Sequence, residues 1–182
     1  MKKILAICGS TRERSSNLQL IEAIKKDYEG ELEIILSANI ATLPQFNPDD
    51  LAEPGDAVIA FRQQIAEADG VLICTPEYAM GVPGALKNAI DWTVSTSEFS
   101  KKPVALITAS TLGQKAHHAL LNTLEVIECV ISELLISYVQ TKVRNSQVVD
   151  EDTKQQVDVL IDSFIQNMND HDSETDLTTA TA

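Results

Sequence analysis

The chain has 182 residues, 44% of them apolar, and carries 14 Lys+Arg against 27 Asp+Glu for a net charge of −13. A chain of this size buries roughly 70% of its unfolded surface as one domain, so it needs neither a disulfide nor a metal to fold. Its acidic balance argues against nucleic acid and anionic membrane as partners, and no apolar stretch is long enough to span a bilayer.

In chain order, residues 2–8 predict a strand buried on both faces, because the run Ile4-Leu5-Ala6-Ile7-Cys8 barely alternates. The loop Gly9-Ser10-Thr11-Arg12-Glu13-Arg14-Ser15-Ser16-Asn17 follows, with Gly9 expected to let the chain turn sharply off the strand. Residues 16–28 predict a helix with Leu18, Leu20, Ile21 and Ile24 on its apolar side, closed by Gly30. Residues 31–36 predict a second strand with Leu32, Ile34 and Leu36 alternating. Residues 37–55 are irregular, broken by Pro44, Pro48 and Pro54, and a loop of that length inside a domain is expected to be functional or a lid.

A helix over 56–68 has Val58, Ile59, Phe61, Ile65 and Ala66 on one side. Val71 to Cys74 predicts a third strand, running into the turn Thr75-Pro76-Glu77-Tyr78, and Pro83-Gly84 introduces a helix from Ala85 to about Ser95. Residues 103–108 predict a fourth strand, 113–128 a helix and 131–139 a fifth strand. Residues 151–168 predict a last helix with Val157, Leu160, Ile161, Phe164 and Ile165 inward. The domain is thus expected over 1–168, and the polar, acidic stretch 169–182 is expected to be a disordered tail. Strands alternating with helices imply a parallel sheet covered on both faces. Ligands of such sheets sit at the carboxyl ends of the strands, which points to the loops 9–17, 75–83 and 109–114.

The first loop has two readings. In one it is a phosphate cradle: helix amides, the hydroxyls of Ser10, Thr11, Ser15 and Ser16, the Asn17 amide, and the guanidinium forks of Arg12 and Arg14 converge on an anion. In the other, Ser15, Ser16 or Asn17 only caps the helix and the arginines are solvated. Gly9 is the loop's only glycine and no Gly-Lys-Ser/Thr follows, so neither a dinucleotide fingerprint nor a triphosphate loop is present. A terminal monophosphate fits such a donor set better. The net charge does not forbid it, because exposed charges beyond about 8 Å are screened. Each charge-assisted hydrogen bond in the loop contributes roughly 1.5–3 kcal/mol.

Two motifs resemble those of the NADPH-dependent FMN reductase family. Pro76-Glu77-Tyr78-Ala79-Met80-Gly81-Val82-Pro83-Gly84-Ala85-Leu86-Lys87-Asn88-Ala89-Ile90-Asp91-Trp92 is similar to P-E-Y-N…P-G-x-L-K-N-A-I-D-W. Gly9, Ser10, Arg12, Ser15 and Asn17 match G-S-x-R-x-x-S-x-N. The resemblance runs from residue 2 to about 168 and implies an α/β, flavodoxin-like three-layer sandwich with a five-stranded parallel sheet of order 2-1-3-4-5. It implies an FMN-dependent NAD(P)H oxidoreductase, using NADPH or NADH and a small acceptor such as a quinone, free flavin, azo compound or metal oxyanion. It assigns the FMN phosphate to Ser10, Arg12, Ser15, Ser16 and Asn17, with Arg14 at a variable position. Pro76, Glu77, Tyr78, Ala79 and Met80 would wrap the ribityl chain and ring edge, largely through backbone N–H groups. Ser110 and Thr111, with Leu112 and Gly113, would approach the ring's other side. Ala79 departs from the family's usual Asn, and the third loop is poor in glycine. A homodimer or homotetramer is implied, with the helices after the second and third loops at the interface.

Other residues carry competing readings. Tyr78 lines the flavin or packs under its loop, and Glu77 pairs with Lys87 or touches cofactor. Lys87, Asn88 and Asp91 serve chemistry or helix contact, and Trp92 anchors an interface or the core. Cys8, Cys74 and Cys129 show no paired spacing, which suits a reducing compartment and makes the cytoplasm the default. Cys8 and Cys74 read as structural, without an activating base. His117 and His118 are helix neighbours that diverge, so no metal site is expected. The alternatives to a reductase are a flavodoxin-type electron carrier, favoured by the acidic surface, and a flavin-binding regulatory protein.

Overall fold

The structure is a computed structural model describing residues 1–180. Five parallel strands form the central sheet: β1 (Lys2–Cys8), β2 (Leu32–Leu36), β3 (Gly70–Thr75), β4 (Pro103–Ser110) and β5 (Val130–Ser137), in the order β2-β1-β3-β4-β5. This is the expected order. β1 and β3 sit inside the sheet with both faces covered, which is why their sequences are continuous apolar runs: Ile4 to Ile7 and Val71 to Cys74 are all buried.

Two cores flank the sheet. On one face α1 (Ser16–Asp27) and α6 (Glu151–Ala180) bury Leu20, Ile21, Ile24, Leu160, Ile161 and Phe164. On the other, α2 (Asp56–Glu67), α3 (Gly84–Asp91) and α4 (Gln114–Val126) bury Phe61, Ile65, Leu86, Ile90, Leu120 and Leu124. The outward residues of α2 include Ile59 and Ala66, against expectation; Val58, Phe61 and Ile65 alone are enough to seat the helix. Leu36 is likewise exposed, at the carboxyl end of the edge strand.

Gly9 does not act as expected. It has no positive φ. Its N–H donates to the Cys74 carbonyl at 2.8 Å, and a Cβ there would lie 2.3 Å from Thr75 Oγ1. The glycine permits the close approach of the first loop to β3, not a sharp turn. α1 ends at Asp27, where the Tyr28 N–H bonds the Ile24 carbonyl, two residues before Gly30.

The predicted helix 85–95 stops at Asp91, and 92–101 is a chain of turns. After β5 come elements with no prediction: α5 (Val139–Lys142) and the hairpin β6 (Val143–Arg144) with β7 (Gln147–Val148). α6 continues beyond residue 168, through a buried Met168 and an ion pair between Lys2 and Asp172, as far as Ala180. The stretch expected to be a disordered tail is therefore helical to that point, and residues 181–182 lie outside the described residues.

The long loop 37–55 contains two single 3-10 turns and is fastened to α3. Asn88 accepts from the Phe46 N–H at 2.7 Å and donates to the Pro44 carbonyl at 2.9 Å. The Trp92 indole donates to the same carbonyl at 2.8 Å, and Phe46 meets the Trp92 ring edge-on at 5.1 Å. Trp92 is therefore core and anchor, within this chain.

Candidate functional site at the carboxyl edge of the sheet

Three loops converge where β1, β3 and β4 end. The first, 9–17, is shaped by its cap. Ser15 Oγ accepts from the Leu18 N–H at 3.0 Å and closes the start of α1. The amides of Ser16 and Asn17, the first two of the helix, have no protein acceptor among the described residues. Arg12 and Arg14 are exposed, and neither guanidinium has a protein partner among the described residues. Ser10 is nearly buried; its hydroxyl meets Tyr78 Oη at 3.2 Å and accepts weakly from the Arg12 N–H at 3.4 Å.

Asn17 is placed differently from the phosphate role. Its side-chain amide is buried and donates to the Ala109 carbonyl at 3.0 Å, stitching the first loop to the end of β4. Its Oδ1 is buried with no partner. Ser15 and Asn17 thus position the loop, and the unengaged donors are Arg12, Arg14, Thr11, Ser16 and two helix amides.

The second loop is braced and strained. The Tyr78 N–H donates to the Gly81 carbonyl and the Gly81 N–H to the Tyr78 carbonyl, at 3.0 and 2.9 Å. The two residues between, Ala79 (φ 49°) and Met80 (φ 58°), both lie in the left-handed region. That is a type I′ turn built without the Asn or Gly it favours. Such strain persists where the surroundings fix it, and clusters at binding sites. Pro76 is buried below the turn.

Glu77 pairs with neither Lys87 nor open space. Its Oε2 accepts from the amides of Lys115 at 2.8 Å and Ala116 at 3.0 Å, capping α4. Its own N–H donates to Ser110 Oγ at 3.2 Å. Glu77 therefore locks the second loop to the third, and Lys87 pairs with Asp91 one turn on. In the third loop Thr111 is exposed, and Gly113 takes φ 100°, where a side chain would also meet Leu135.

A cavity of about 200 Å³ opens beside the first loop, lined by Cys8, Ser10, Arg12, Leu18, Ser37 and Asn39. Ser37 and Asn39 escaped the sequence reading; the length of loop 37–55 was the only signal for them. Larger grooves lie elsewhere. One of about 990 Å³ is at the amino edge, around Val94, Lys102 and Glu128, and one of about 700 Å³ lies between β5 and α6. Size does not locate this site, because an open loop cluster for a flat ligand encloses little volume.

Burial pushes the Cys8 thiol up despite contacts to the Ser10 carbonyl and Ser15 hydroxyl, and it pushes fully buried Cys74 up further. Neither is a thiolate at neutral pH. His117 is buried, between Thr108 Oγ1 at 2.9 Å and the Glu133 carboxylate, while neighbouring His118 faces solvent. Among the described residues no group of three or more His, Cys, Asp or Glu is placed to hold a metal ion, and no helix is long and apolar enough to cross a membrane.

A parallel sheet of this order, with free anion donors on the loop after its first strand, defines a flavodoxin-like mononucleotide-binding protein. Residues 2–140 match the family described as NADPH-dependent FMN reductase. The chain is 31% identical over 172 residues to a 2-hydroxy-1,4-benzoquinone reductase of a Burkholderia species, covering 89% of this chain and 93% of that one. It is 31% identical over 163 residues to a quinone reductase of Escherichia coli, covering 83% and 87%. Among solved structures, the flavoenzyme NAD(P)H:acceptor oxidoreductase FerB of Paracoccus denitrificans superposes with a TM-score of 0.82 at 30% identity, covering 94% of this chain and 99% of that one. The chain belongs to the NADPH-dependent FMN reductase family.

Proposed function

We propose that the protein is an FMN-dependent NAD(P)H oxidoreductase that reduces small acceptors. The observation that carries the reading is the first loop: the Arg12 guanidinium and the Ser16 and Asn17 amides stand together at the sheet edge without protein partners. That donor set fits the phosphomonoester of FMN, which carries up to two negative charges and accepts on several sides. Ser10, Arg12, Ser16 and the Asn17 backbone N–H would hold the phosphate directly; the side chains of Ser15 and Asn17 fix the loop around it.

FMN, when bound, takes hydride from reduced nicotinamide and passes two electrons to the acceptor. The protein's part is placement. Pro76 to Met80 would present backbone to the flavin, with Tyr78 bracing Ser10 through its hydroxyl. Ser110 and Thr111 would bound the opposite side of the ring. With a quinone the balance is NAD(P)H, a proton and quinone giving NAD(P)⁺ and hydroquinone. No side-chain acid or base is needed for hydride transfer, and donor and acceptor use the site in turn, giving ping-pong kinetics. The relatives' names include both an NADH-dependent flavin reductase and an NADPH azoreductase, so either donor is in range. We place the protein in the cytoplasm, in keeping with three free cysteines, and as a homodimer or homotetramer.

The test is anaerobic. The protein is loaded with FMN, freed of excess flavin and mixed with NADPH or NADH in a stopped-flow instrument. Rapid bleaching of bound-flavin absorbance is expected. Bound flavin that stays oxidised with both donors would overturn the reading in favour of an electron carrier, the role the net charge of −13 would suit.

A further inference from the structure

The carboxyl edge carries four large exposed apolar side chains, and one of them, Tyr138, has no part in the cofactor roles given above. Tyr78 and Met80 on the second loop, Leu112 on the third and Tyr138 just after β5 are all exposed, Met80 by 70% and Tyr138 by 58%. Two of the four are also strained. Among non-glycine residues with positive φ, Lys101 and Glu128 sit in turns at the amino edge, and Asn145 and Ser146 make the β6–β7 hairpin turn. Ala79 is small. Among the described residues only Met80 and Tyr138 (φ 56°) carry large apolar side chains in this conformation, and both stand at the same edge. The left-handed region is a genuine outlier for a bulky residue, and such outliers gather where function needs them.

Tyr138 is fixed from both sides. The Ser110–Ser137 register sets it alongside Thr111. Its N–H donates to the Thr111 carbonyl at 3.1 Å, and its own carbonyl accepts from the Thr141 N–H and hydroxyl at 3.0 and 2.8 Å. Ser137 Oγ donates to the Leu112 carbonyl at 2.9 Å, a second tie between the end of β5 and the third loop. An exposed aromatic held rigidly beside a binding loop gives a ligand ring a flat apolar wall at little cost in entropy.

We propose that Tyr138, with Leu112, is the outer wall of the acceptor position and makes the protein favour flat aromatic acceptors over compact inorganic ones. The inference rests on the reductase reading above. A quinone ring gains face and edge contacts against the tyrosine; an octahedral complex ion has no face to offer.

The test pairs anthraquinone-2-sulfonate, which is flat and singly charged, with ferricyanide, which is compact and triply charged; replacing Tyr138 leaves the protein's charge unchanged, so the difference in ligand charge cancels when the ratio is compared between variants. Glycine adopts φ 56° without strain, so Tyr138→Gly removes the ring and spares the backbone. In the FMN-loaded protein the ratio of kcat/KM for the anthraquinone to that for ferricyanide should fall about tenfold in Tyr138→Gly, the scale of one lost aromatic contact. Tyr138→Phe should keep the wild-type ratio. The Kd of anthraquinone-2-sulfonate for the oxidised, FMN-loaded protein, measured calorimetrically without any nicotinamide, should rise with the same factor. An unchanged ratio and Kd in Tyr138→Gly, or an equal fall in Tyr138→Phe, would overturn the proposal. If the wild type reduces neither acceptor, the reductase reading fails instead, and the Kd comparison still decides whether Tyr138 makes an aromatic site.

Discussion

The first and second loops both carry family motifs at the same sheet edge, yet they are built in opposite ways. The first is anchored at its two ends, by Gly9 and Ser10 on one side and by the Ser15 cap and Asn17 on the Ala109 carbonyl on the other, and presents residues 11–14 outward. The second turns its polar groups inward: Glu77 holds α4 and Ser110, Tyr78 holds Ser10, and the tip is a strained turn. The difference teaches that a motif residue can serve a ligand without touching it. The rear of the second motif goes further, since Asn88 and Trp92 fasten loop 37–55 and complete the core.

The largest effect that can break this contrast is expected at Trp92. The side chain is buried, packs on Phe46 and donates to the Pro44 carbonyl. Trp92→Ala should cost about 3–5 kcal/mol of stability in urea denaturation, through lost burial and the cavity left behind. If stability held but FMN affinity collapsed, the rear of the motif would belong to the binding surface and not to the core.

Next is Arg12→Ala, which should weaken FMN binding by about 1.5–3 kcal/mol while leaving the melting temperature in place. The Arg12 guanidinium has no protein partner among the described residues, so a drop in stability without a drop in affinity would put the first loop in the braced class. Arg14→Ala serves as the comparison. An equal loss there would mean that both forks reach the phosphate.

The parallel sheet was legible because apolar runs report two-sided burial, its order came with the resemblance to the reductase family, and the site's location followed from topology. The internal division of labour was not legible. Ser15 and Asn17 match a phosphate motif in sequence, and only the fold reveals that Asn17 reaches residue 109. Glu77 offers a carboxylate that sequence pairs with the nearest cation, Lys87, whereas the chain brings it to the amides of α4, nearly forty residues on. Tyr138 gave no signal at all, because a left-handed tyrosine looks like the end of an apolar strand. The helix past residue 168 escaped for a related reason: its polar composition argues for solvent, but Met168 and the Lys2–Asp172 pair tie its continuation to β1 and its neighbours.

A smaller effect is expected for Glu77→Ala. It frees two amides at the start of α4 while the backbone link to Ser110 stays, and should cost about 1–2 kcal/mol of stability, the scale of a lost helix cap. FMN affinity should change less than in Arg12→Ala, because the lost contacts are between protein elements. A larger affinity loss than at Arg12, measured by the same titration, would make the carboxylate a cofactor contact.

The smallest effect is at Ala79, and it has the opposite sign. An L-residue in the left-handed region costs about 1–2 kcal/mol. Glycine removes that strain but raises the entropy of the unfolded chain by about 0.4–1 kcal/mol. Ala79→Gly should therefore stabilise the protein by about 0.5–1 kcal/mol, visible as a raised melting temperature without FMN. Ala79→Asn, the residue usual in the family, should gain in the same direction because Asn tolerates this conformation. Affinity then separates two roles for the strain. If both variants gain stability and keep FMN affinity, alanine is only a tolerated departure held by its bracing. If glycine gains stability and loses affinity while asparagine keeps it, the turn's stiffness holds the flavin, and the bracing of the second loop is itself part of the binding site.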